Sequence, residues 1–369
     1  MNFDFSDDQR MLRDHAQRFL GESTDCHALR GMLDAGREFD DQLWSQIVEQ
    51  GWLGVAIDEE LGGLGLGTLE LCVLMEELGR ALAPVPFFST VCLAAELIKH
   101  SRSPQGLEHL RGLAAGEFIA CAGLMTPDRE WNQVNLRVEA DRLFGSSTAL
   151  AYAGQSDFAV LPALERGEPQ ILLVDLNQAG VRRETLSGID PLTPHARLQL
   201  EGVEVLRLCA GEDAVRTMAQ VVNQAAVLNA FEQIGGAARA CELARDYALE
   251  RYTFGRPIGS YQAVKHKLAD MAVKIELARS NAYFGAWAMH AGSAAELGLA
   301  AASSLLCASD AYQFCAEECL HLHGGIGYTW EADCHFLYNK ARLLAVSVGN
   351  GAAWVDRLLT DESLNALHS

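Results

Sequence analysis

The sequence of 369 residues has no apolar run of the roughly 18 residues that a membrane-spanning helix needs. It is also poor in basic residues: 29 Lys and Arg stand against 49 Asp and Glu, which gives a formal net charge of -20 at pH 7. Such a surface repels phosphate backbones and anionic lipid headgroups, so neither nucleic acid nor a membrane is expected as a partner. Low-complexity segments and internal repeats are lacking too, and the length predicts two or three globular domains.

The ten cysteines lack both CxxC spacing and the density of a disulfide framework. This distribution is typical of a reducing compartment, and most of the thiols are expected to be small core residues. Residues 1–8 are acidic and contain no apolar stretch after a basic segment, so no signal peptide is expected at this end. The predicted location is the cytoplasm.

Helical signals dominate the first part of the chain. Ser6, followed by Asp7 and Asp8, has the pattern of a helix N-cap with an acidic first turn. A glycine-rich loop over 62–67 separates later helices, and the helical period continues to about residue 115. These features predict an N-terminal helical domain over 1–116.

After Gly116 the hydrophobic pattern of the sequence changes to short apolar or alternating runs separated by turn residues. This pattern predicts an antiparallel β-domain over 117–208. From Asp213 onward the helical period returns and predicts a C-terminal helical bundle over 209–369. The predicted fold is therefore mostly α with a central β-domain. The runs expected to form strands are 118–124, 136–138, 158–161, 171–174 and 198–200.

Two segments stand out within the predicted bundle. Residues 251–262 read Arg-Tyr-Thr-Phe-Gly-Arg-Pro-Ile-Gly-Ser-Tyr-Gln, and Gly255 and Pro257 on their own indicate only a helix stop. Residues 321–331 read His-Leu-His-Gly-Gly-Ile-Gly-Tyr-Thr-Trp-Glu, a glycine-rich link that lets the backbone approach a ligand closely. We expect Tyr328 and Trp330 to be packing residues beside this link.

Together with the helix, strand, helix order, these two segments resemble the acyl-CoA dehydrogenase family. The resemblance covers essentially the whole chain, including Phe5-Ser-Asp-Asp-Gln near the start and Glu76-Glu-Leu-Gly-Arg80 in a helix. It implies an N-terminal helical domain, an antiparallel β-domain and a C-terminal four-helix bundle. The pattern of Glu76, Glu77 and Arg80 on one helix predicts a surface ion-pair set.

The resemblance also implies an FAD shared across a subunit interface. In the family, one chain's β-domain holds the flavin ring and the next chain's helices hold the adenosine pyrophosphate. Arg251, whose guanidinium suits phosphate oxygens, matches the second group of contacts. The other matching residues are Thr253, Phe254, Gln262, Gly324 and Gly325, with His321 standing where the family usually has Gln.

Three departures separate this chain from a standard member of that family. Residues 124–131 read Leu-Met-Thr-Pro-Asp-Arg-Glu-Trp in place of the family's flavin-ring segment. The two positions that carry the family's catalytic carboxylate hold Val348 and Ala225, and the adjacent position with a frequent Arg holds Ala226. Neither Val nor Ala accepts a proton, so the catalytic residue of this chain is unknown.

This combination resembles the non-catalytic subunit of heterotetrameric acyl-CoA dehydrogenases of bacterial steroid side-chain degradation. It implies an acyl-CoA substrate, a base-bearing partner subunit and an electron-transfer flavoprotein as electron acceptor. One alternative is self-association to a catalytic homotetramer with an unusual base, for which Glu232 is the candidate, although a structural Glu232 is favoured. Others are a scaffold without cofactor and a metal-binding protein using Cys315, Cys319, His321 and His323; the spacing fits no structural zinc site, so no metal is expected.

Overall fold

The computed structural model describes residues 6–360, and its described residues form two compact units. The bundle unit contains residues 6–31, 72–83 and 226–360. The sheet unit contains residues 32–71 and 84–225. Residues 1–5, which begin the acidic N-terminal segment, lie outside the described residues.

The α-helices and strands follow one another along the chain as helices, then strands, then helices. The helices are α1 (Asp7–Ser23), α2 (Cys26–Asp34), α3 (Asp41–Glu49), α4 (Thr68–Ala81), α5 (Glu96–Ser101), α6 (Pro104–Ala114), α7 (Gly211–Glu250), α8 (Gln262–Ala291), α9 (Ala294–Leu322), α10 (Cys334–Ser347) and α11 (Gly351–Thr360). The strands are β1 (Ala120–Ala122), β2 (Arg137–Glu139), β3 (Arg142–Ala151), β4 (Phe158–Glu165), β5 (Glu168–Asp175), β6 (Val181–Leu186), β7 (His195–Glu204), β8 (Leu206–Ala210), β9 (Tyr252–Thr253) and β10 (Arg256–Pro257). A π-helix, Phe88–Ala95, precedes α5.

The first helix confirms the predicted N-cap. The Ser6 hydroxyl accepts a hydrogen bond from the Gln9 backbone N–H, and the Gln9 side chain accepts one from the Ser6 backbone N–H. This capping box satisfies two backbone donors that would otherwise lack partners at the helix start. Ala16 and Leu20, one turn apart, are the buried residues of α1.

The bundle unit is built from α7 to α11, with α8 and α10 packed against α9. Small side chains let these helices approach closely: a Cβ added at Gly285 of α8 would lie 2.6 Å from the Ser304 hydroxyl of α9. The buried residues of α9 accordingly include the consecutive alanines Ala300, Ala301 and Ala302. The predicted helical bundle is confirmed.

Helices α4 and α7 cross at an even shorter distance through two glycines. A Cβ on Gly79 would lie 2.0 Å from the Glu232 carbonyl oxygen, and a Cβ on Gly235 would lie 1.8 Å from the Glu76 carbonyl oxygen. These contacts are between main chains, so neither helix can yield by turning a side chain. The crossing therefore requires glycine at both positions.

The sheet unit contains one sheet in the order β6-β7-β3-β2-β4-β5-β8, with β1 also paired to β4. Most neighbours are antiparallel, as predicted, but β1 and β2 each pair with β4 in parallel, which makes the sheet mixed. Its core consists of apolar side chains such as Leu143, Leu161 and Leu172. The three domain boundaries derived from the sequence stay a prediction.

The ten cysteines, all within the described range, are free thiols, and six of them are fully buried. This confirms that most are core residues. Among residues 6–360, no helix combines the length and apolar character needed to cross a membrane.

Candidate functional site

The segment that begins at Arg251 folds as a β-hairpin between α7 and α8. Strands β9 and β10 pair through Thr253 and Arg256, and the two residues between them, Phe254 and Gly255, have φ angles of 52° and 79°. Positive φ at both positions is typical of a type I′ hairpin loop, and glycine adopts it freely whereas phenylalanine adopts it at a cost in strain. The backbone N–H of Ile258 donates to the Arg251 carbonyl at 2.8 Å and closes the hairpin.

The hairpin directs two of the predicted site residues outward. Phe254 at its tip is 93% exposed. Within residues 6–360, the exposed guanidinium of Arg251 makes no hydrogen bond or ion pair. Thr253 is exposed on β9, and its carbonyl accepts a hydrogen bond from the Tyr261 hydroxyl at 3.0 Å. The segment therefore presents an available cation beside an uncovered aromatic ring.

A stacked ring pair brings the second predicted segment beside the first. Tyr247, one helical turn before Arg251, stacks on His323 with ring centroids 4.2 Å apart. The Arg251 backbone N–H donates to the Tyr247 carbonyl at 2.9 Å. Since His323 directly precedes Gly324, the end of α7 and the glycine turn are neighbours.

The glycine turn leaves open space along its backbone. Gly324 has a φ of 62°, and a Cβ built at Gly324 or Gly325 would meet no atom within 4 Å. These two glycines are thus not required by packing inside this chain, and a ligand can approach the bare backbone. His321 precedes them with a largely exposed side chain, whose Nδ1 lies 4.0 Å from a Glu318 carboxylate oxygen.

Gln262 is the first residue of α8 and is exposed. Just before it, Gly259 packs on the end of α7, because a Cβ there would lie 3.0 Å from the Ala248 carbonyl oxygen. The start of α8 is thereby fixed against the end of α7, the helix that precedes Arg251. Free N–H groups at a helix start favour an anion, so these residues fit the pyrophosphate and adenosine part of FAD.

The segment that departs from the family's flavin-ring sequence lines a cavity of about 380 Å³ in the sheet unit. Within the segment 124–131, Thr126 carries a hydroxyl that could donate a hydrogen bond to a flavin ring. This residue is buried, and its hydroxyl donates to Asp128 Oδ1 at 2.6 Å. Arg129 and Glu130 place charged groups on the same cavity wall. The Thr126 hydroxyl is thus already engaged within the chain, and we derive no catalytic step from this cavity.

The two base positions are apolar and fully buried in the structure. Val348 and Ala225 have no exposed surface, and the Val348 carbonyl accepts a hydrogen bond from the Trp354 indole at 2.8 Å. Glu232, the alternative carboxylate, is buried and lies 3.1 Å from the Lys340 ammonium, which is buried too. An ion-paired Glu232 fits a structural role.

The expectation of a surface ion-pair set on α4 was wrong. Glu76 and Glu77 are buried, and Glu76 pairs with Arg279 at 2.9 Å while Arg80 pairs with Glu242 at 2.5 Å. Burial, with a smaller effect of the Glu76 carboxylate, raises the pKa of Glu77 to about 7. The partners come from distant helices, so spacing along α4 could not reveal them; the only local signal was Gly79, which marks a close helix crossing.

Tyr328 and Trp330 are 67% and 52% exposed, which is more than expected of packing residues.

The cysteines and histidines considered as metal ligands make other contacts. The Cys315 thiol donates to the Met271 carbonyl, and Nδ1 of the His323 ring lies 2.7 Å from the Cys319 carbonyl oxygen. In the part of the chain that the structure describes, no group of three or more His, Cys, Asp or Glu could hold a metal ion.

The described residues combine leading helices, a mixed sheet and a long helical bundle with the Arg251 hairpin and the glycine turn. Comparison with known proteins assigns this chain to a class of oxidoreductases. The family model described as acyl-CoA dehydrogenase, N-terminal domain, matches residues 6–117, and the model for the C-terminal domain matches residues 214–358.

Individual relatives extend the match. The acyl-CoA dehydrogenase IpdE2 of Mycobacterium tuberculosis is 32% identical over 337 residues, covering 91% of each chain. A solved Tcur3481–Tcur3483 steroid ACAD variant has a TM-score of 0.87 at 26% identity, covering 98% of this chain and 99% of that one. The ChsE4–ChsE5 complex from Mycobacterium tuberculosis has a TM-score of 0.88 at 24% identity with the same coverage and shows the fold. The chain belongs to the acyl-CoA dehydrogenase family, whose members are FAD-binding oxidoreductases.

Proposed function

We propose that this chain is the non-catalytic subunit of a heteromeric acyl-CoA dehydrogenase and completes the FAD site of a base-bearing partner chain. The observation that carries the proposal is the combination of an unpaired, exposed Arg251 with apolar residues at both base positions, Val348 and Ala225. These residues support a chain that contributes the phosphate-binding half of a flavin site without the proton acceptor.

In this role the bundle unit supplies the adenosine side of the site. Arg251 donates to pyrophosphate oxygens, Thr253 and Gln262 add polar contacts, and Phe254 reaches across the interface. The bare backbone at Gly324 and Gly325 lies against the adenosine, with His321 beside it. FAD bound there would accept the hydride that leaves the β-carbon of the acyl group.

The partner subunit supplies the carboxylate that removes the α-proton, because neither base position here holds one. The two-chain names of the Tcur3481–Tcur3483 protein and the ChsE4–ChsE5 complex support a heteromer. Exposed apolar side chains of the bundle unit offer a surface for association. They include Val273, Leu277, Ile326, Tyr328 and Trp330.

The substrate class is an acyl-CoA thioester that becomes α,β-unsaturated, with a steroid-derived acyl group favoured by the description of the Tcur3481–Tcur3483 protein as a steroid ACAD. An electron-transfer flavoprotein takes up the electrons. The net charge of -20 opposes the anionic CoA, so the complex must supply local cations or helix N-termini for it. Ten free thiols favour a reducing compartment, which we take to be the cytoplasm.

The proposal is tested by purifying the chain alone and after co-expression with a family member that has the base. We expect a colourless lone chain, and visible flavin absorbance only in a mixed tetramer. A yellow homotetramer that turns over an acyl-CoA substrate would replace the proposal with the catalytic homotetramer.

Arg251→Ala should reduce FAD retention in the mixed complex by about tenfold or more, because a hydrogen bond from a charged donor contributes about 1.5–3 kcal/mol. Retention is measured as flavin per tetramer after gel filtration at increasing salt. The matched control is Arg245→Ala, since Arg245 is an exposed arginine near the end of α7, the helix that precedes Arg251, and pairs with Asp246 at 2.7 Å. Equal retention in both variants would remove Arg251 from the site.

Val348→Glu restores a carboxylate at one base position, yet the lone chain should stay inactive, since the flavin-ring side is also altered. The assay is desaturation of octanoyl-CoA with an artificial electron acceptor, and circular dichroism checks that the buried substitution leaves the chain folded. Ala225→Glu is the companion variant. Turnover by either lone variant would show that the ring side is competent and that only the base had been lost.

A further inference from the structure

A second, polar cavity of about 610 Å³ lies within the bundle unit. Residues from α1, α2, α4 and α7, and Asp333 just before α10, line it. None of the residues assigned to FAD contributes to it, so conclusions about this cavity do not rest on the proposed function.

The arginines on the cavity wall already have carboxylate partners. Arg80 contacts Glu242 at 2.5 Å, and Arg30 contacts Asp333 at 2.6 Å. Arg239 lies 4.0 Å from the second oxygen of Glu242. An anion entering the cavity would have to break these pairs, so the arginines do not form a free anion site.

Glu77 differs from the other acidic residues of the wall. It is only 5% exposed, and within residues 6–360 its Oε2 atom is buried without a hydrogen-bond partner. A buried carboxylate oxygen without a donor is costly, and native proteins normally supply one. The missing donor points to a ligand.

The charge of the lining favours a cation. With Glu77 ionised, the four carboxylates of Asp25, Glu77, Glu242 and Asp333 face the three guanidinium groups of Arg30, Arg80 and Arg239. One positive charge on a ligand would balance this lining next to Glu77, whose Oε2 atom is buried without a hydrogen-bond partner among residues 6–360.

We propose that this cavity binds a small organic cation with one ammonium or guanidinium group, which donates hydrogen bonds to Glu77. The volume of the cavity admits a compact molecule of this class. Glu242 and Asp333 are already paired with arginines and only line the cavity. Glu77 is therefore the residue that recognises the ligand.

Binding should depend on pH because the ligand requires an ionised Glu77, whose pKa is raised to about 7 by burial. Affinity is then present above pH 7 and declines below it. Other charged or titratable groups face Glu77 from several elements. They are Arg13 from α1, Asp25, Cys26, His27 and Arg30 at α2, Glu76 and Arg80 on α4, Arg239 and Glu242 from α7, and Asp333.

The test measures binding to the full chain by saturation-transfer NMR. Propylammonium is the probe, and propionate is the matched anion. We expect saturable binding of propylammonium at pH 8, about tenfold weaker at pH 6 because most of Glu77 is then protonated. Glu77→Gln should weaken binding at least tenfold and remove the pH dependence. Glu22→Gln changes an exposed glutamate of α1 and should leave binding unchanged.

Tighter binding of propionate than of propylammonium would overturn the proposal, as would equal affinity in Glu77→Gln and wild type. A pH dependence of binding that persists in Glu77→Gln would belong to another group and would count against Glu77. If circular dichroism shows that Glu77→Gln does not fold, the comparison of the two probes and the pH series on the wild-type chain decide the question.

Discussion

Replacing Gly235 with alanine should destabilise the bundle unit by about 3 kcal/mol or more, since the new methyl group overpacks a helix crossing. The added Cβ would lie 1.8 Å from the Glu76 carbonyl oxygen and 2.8 Å from the Arg80 backbone nitrogen. Both atoms belong to the main chain of α4, so the two helices must separate. Urea unfolding followed by circular dichroism measures the loss.

Gly21→Ala is the matched control for this substitution. Gly21 lies in α1, and a Cβ there would meet no atom within 4 Å. Alanine stabilises a helix by up to about 1 kcal/mol relative to glycine, so this variant should be slightly more stable than wild type. If Gly235→Ala were equally harmless, the close crossing of α4 and α7 would be incorrect.

Lys340→Met should cost about 3–5 kcal/mol because it leaves the buried carboxylate of Glu232 without its cation. Within the described residues, Glu232 Oε2 has no hydrogen-bond partner, so the ion pair at 3.1 Å is the main compensation for burying this charge. Urea unfolding followed by circular dichroism measures the loss.

The double variant Glu232→Leu with Lys340→Met distinguishes the effect of an unpaired buried charge on stability from the effect of altered packing. Removing both charges leaves no unpaired group, so it should recover most of the stability lost in Lys340→Met. Lys274→Met is the control, because Lys274 pairs at 2.5 Å with Asp310, whose side chain is 68% exposed, and its loss should cost less than about 1 kcal/mol. A Lys340→Met variant as stable as this control would mean that Glu232 is free to act elsewhere, including as a base.

The sequence was sufficient for the helical regions and for β1, β2, β4, β5 and β7, because their apolar residues recur with a clear period. It did not reveal β3, β6 or β8. Strand β6 is an edge strand with Arg182, Arg183 and Glu184 exposed, so it has no apolar face to detect. Strand β3 is interrupted by Gly145, and its pairing with β7 is irregular after Ser146.

The candidate site was predictable in part, through family resemblance at Arg251 and at the glycine turn. The hairpin at Phe254 could not be foreseen, since Gly255 and Pro257 equally fit a simple helix stop. The buried charges on α4 were missed for a different reason. Glu76 finds its partner on α8, far away in sequence, and helical spacing describes only neighbours on the same helix.

The glycine crossing of α4 and α7 also constrains the order of events during synthesis. Gly79 leaves the ribosome long before Gly235, and the whole sheet strand series from β1 to β8 is made between them. Helix α4 must wait for the backbone against which it packs, whereas strands β1 to β8 have all been made before α7 emerges. A nascent chain that ends before Gly235 lacks this helix crossing, so the residues of α4 that face it stay uncovered until that part of α7 is made.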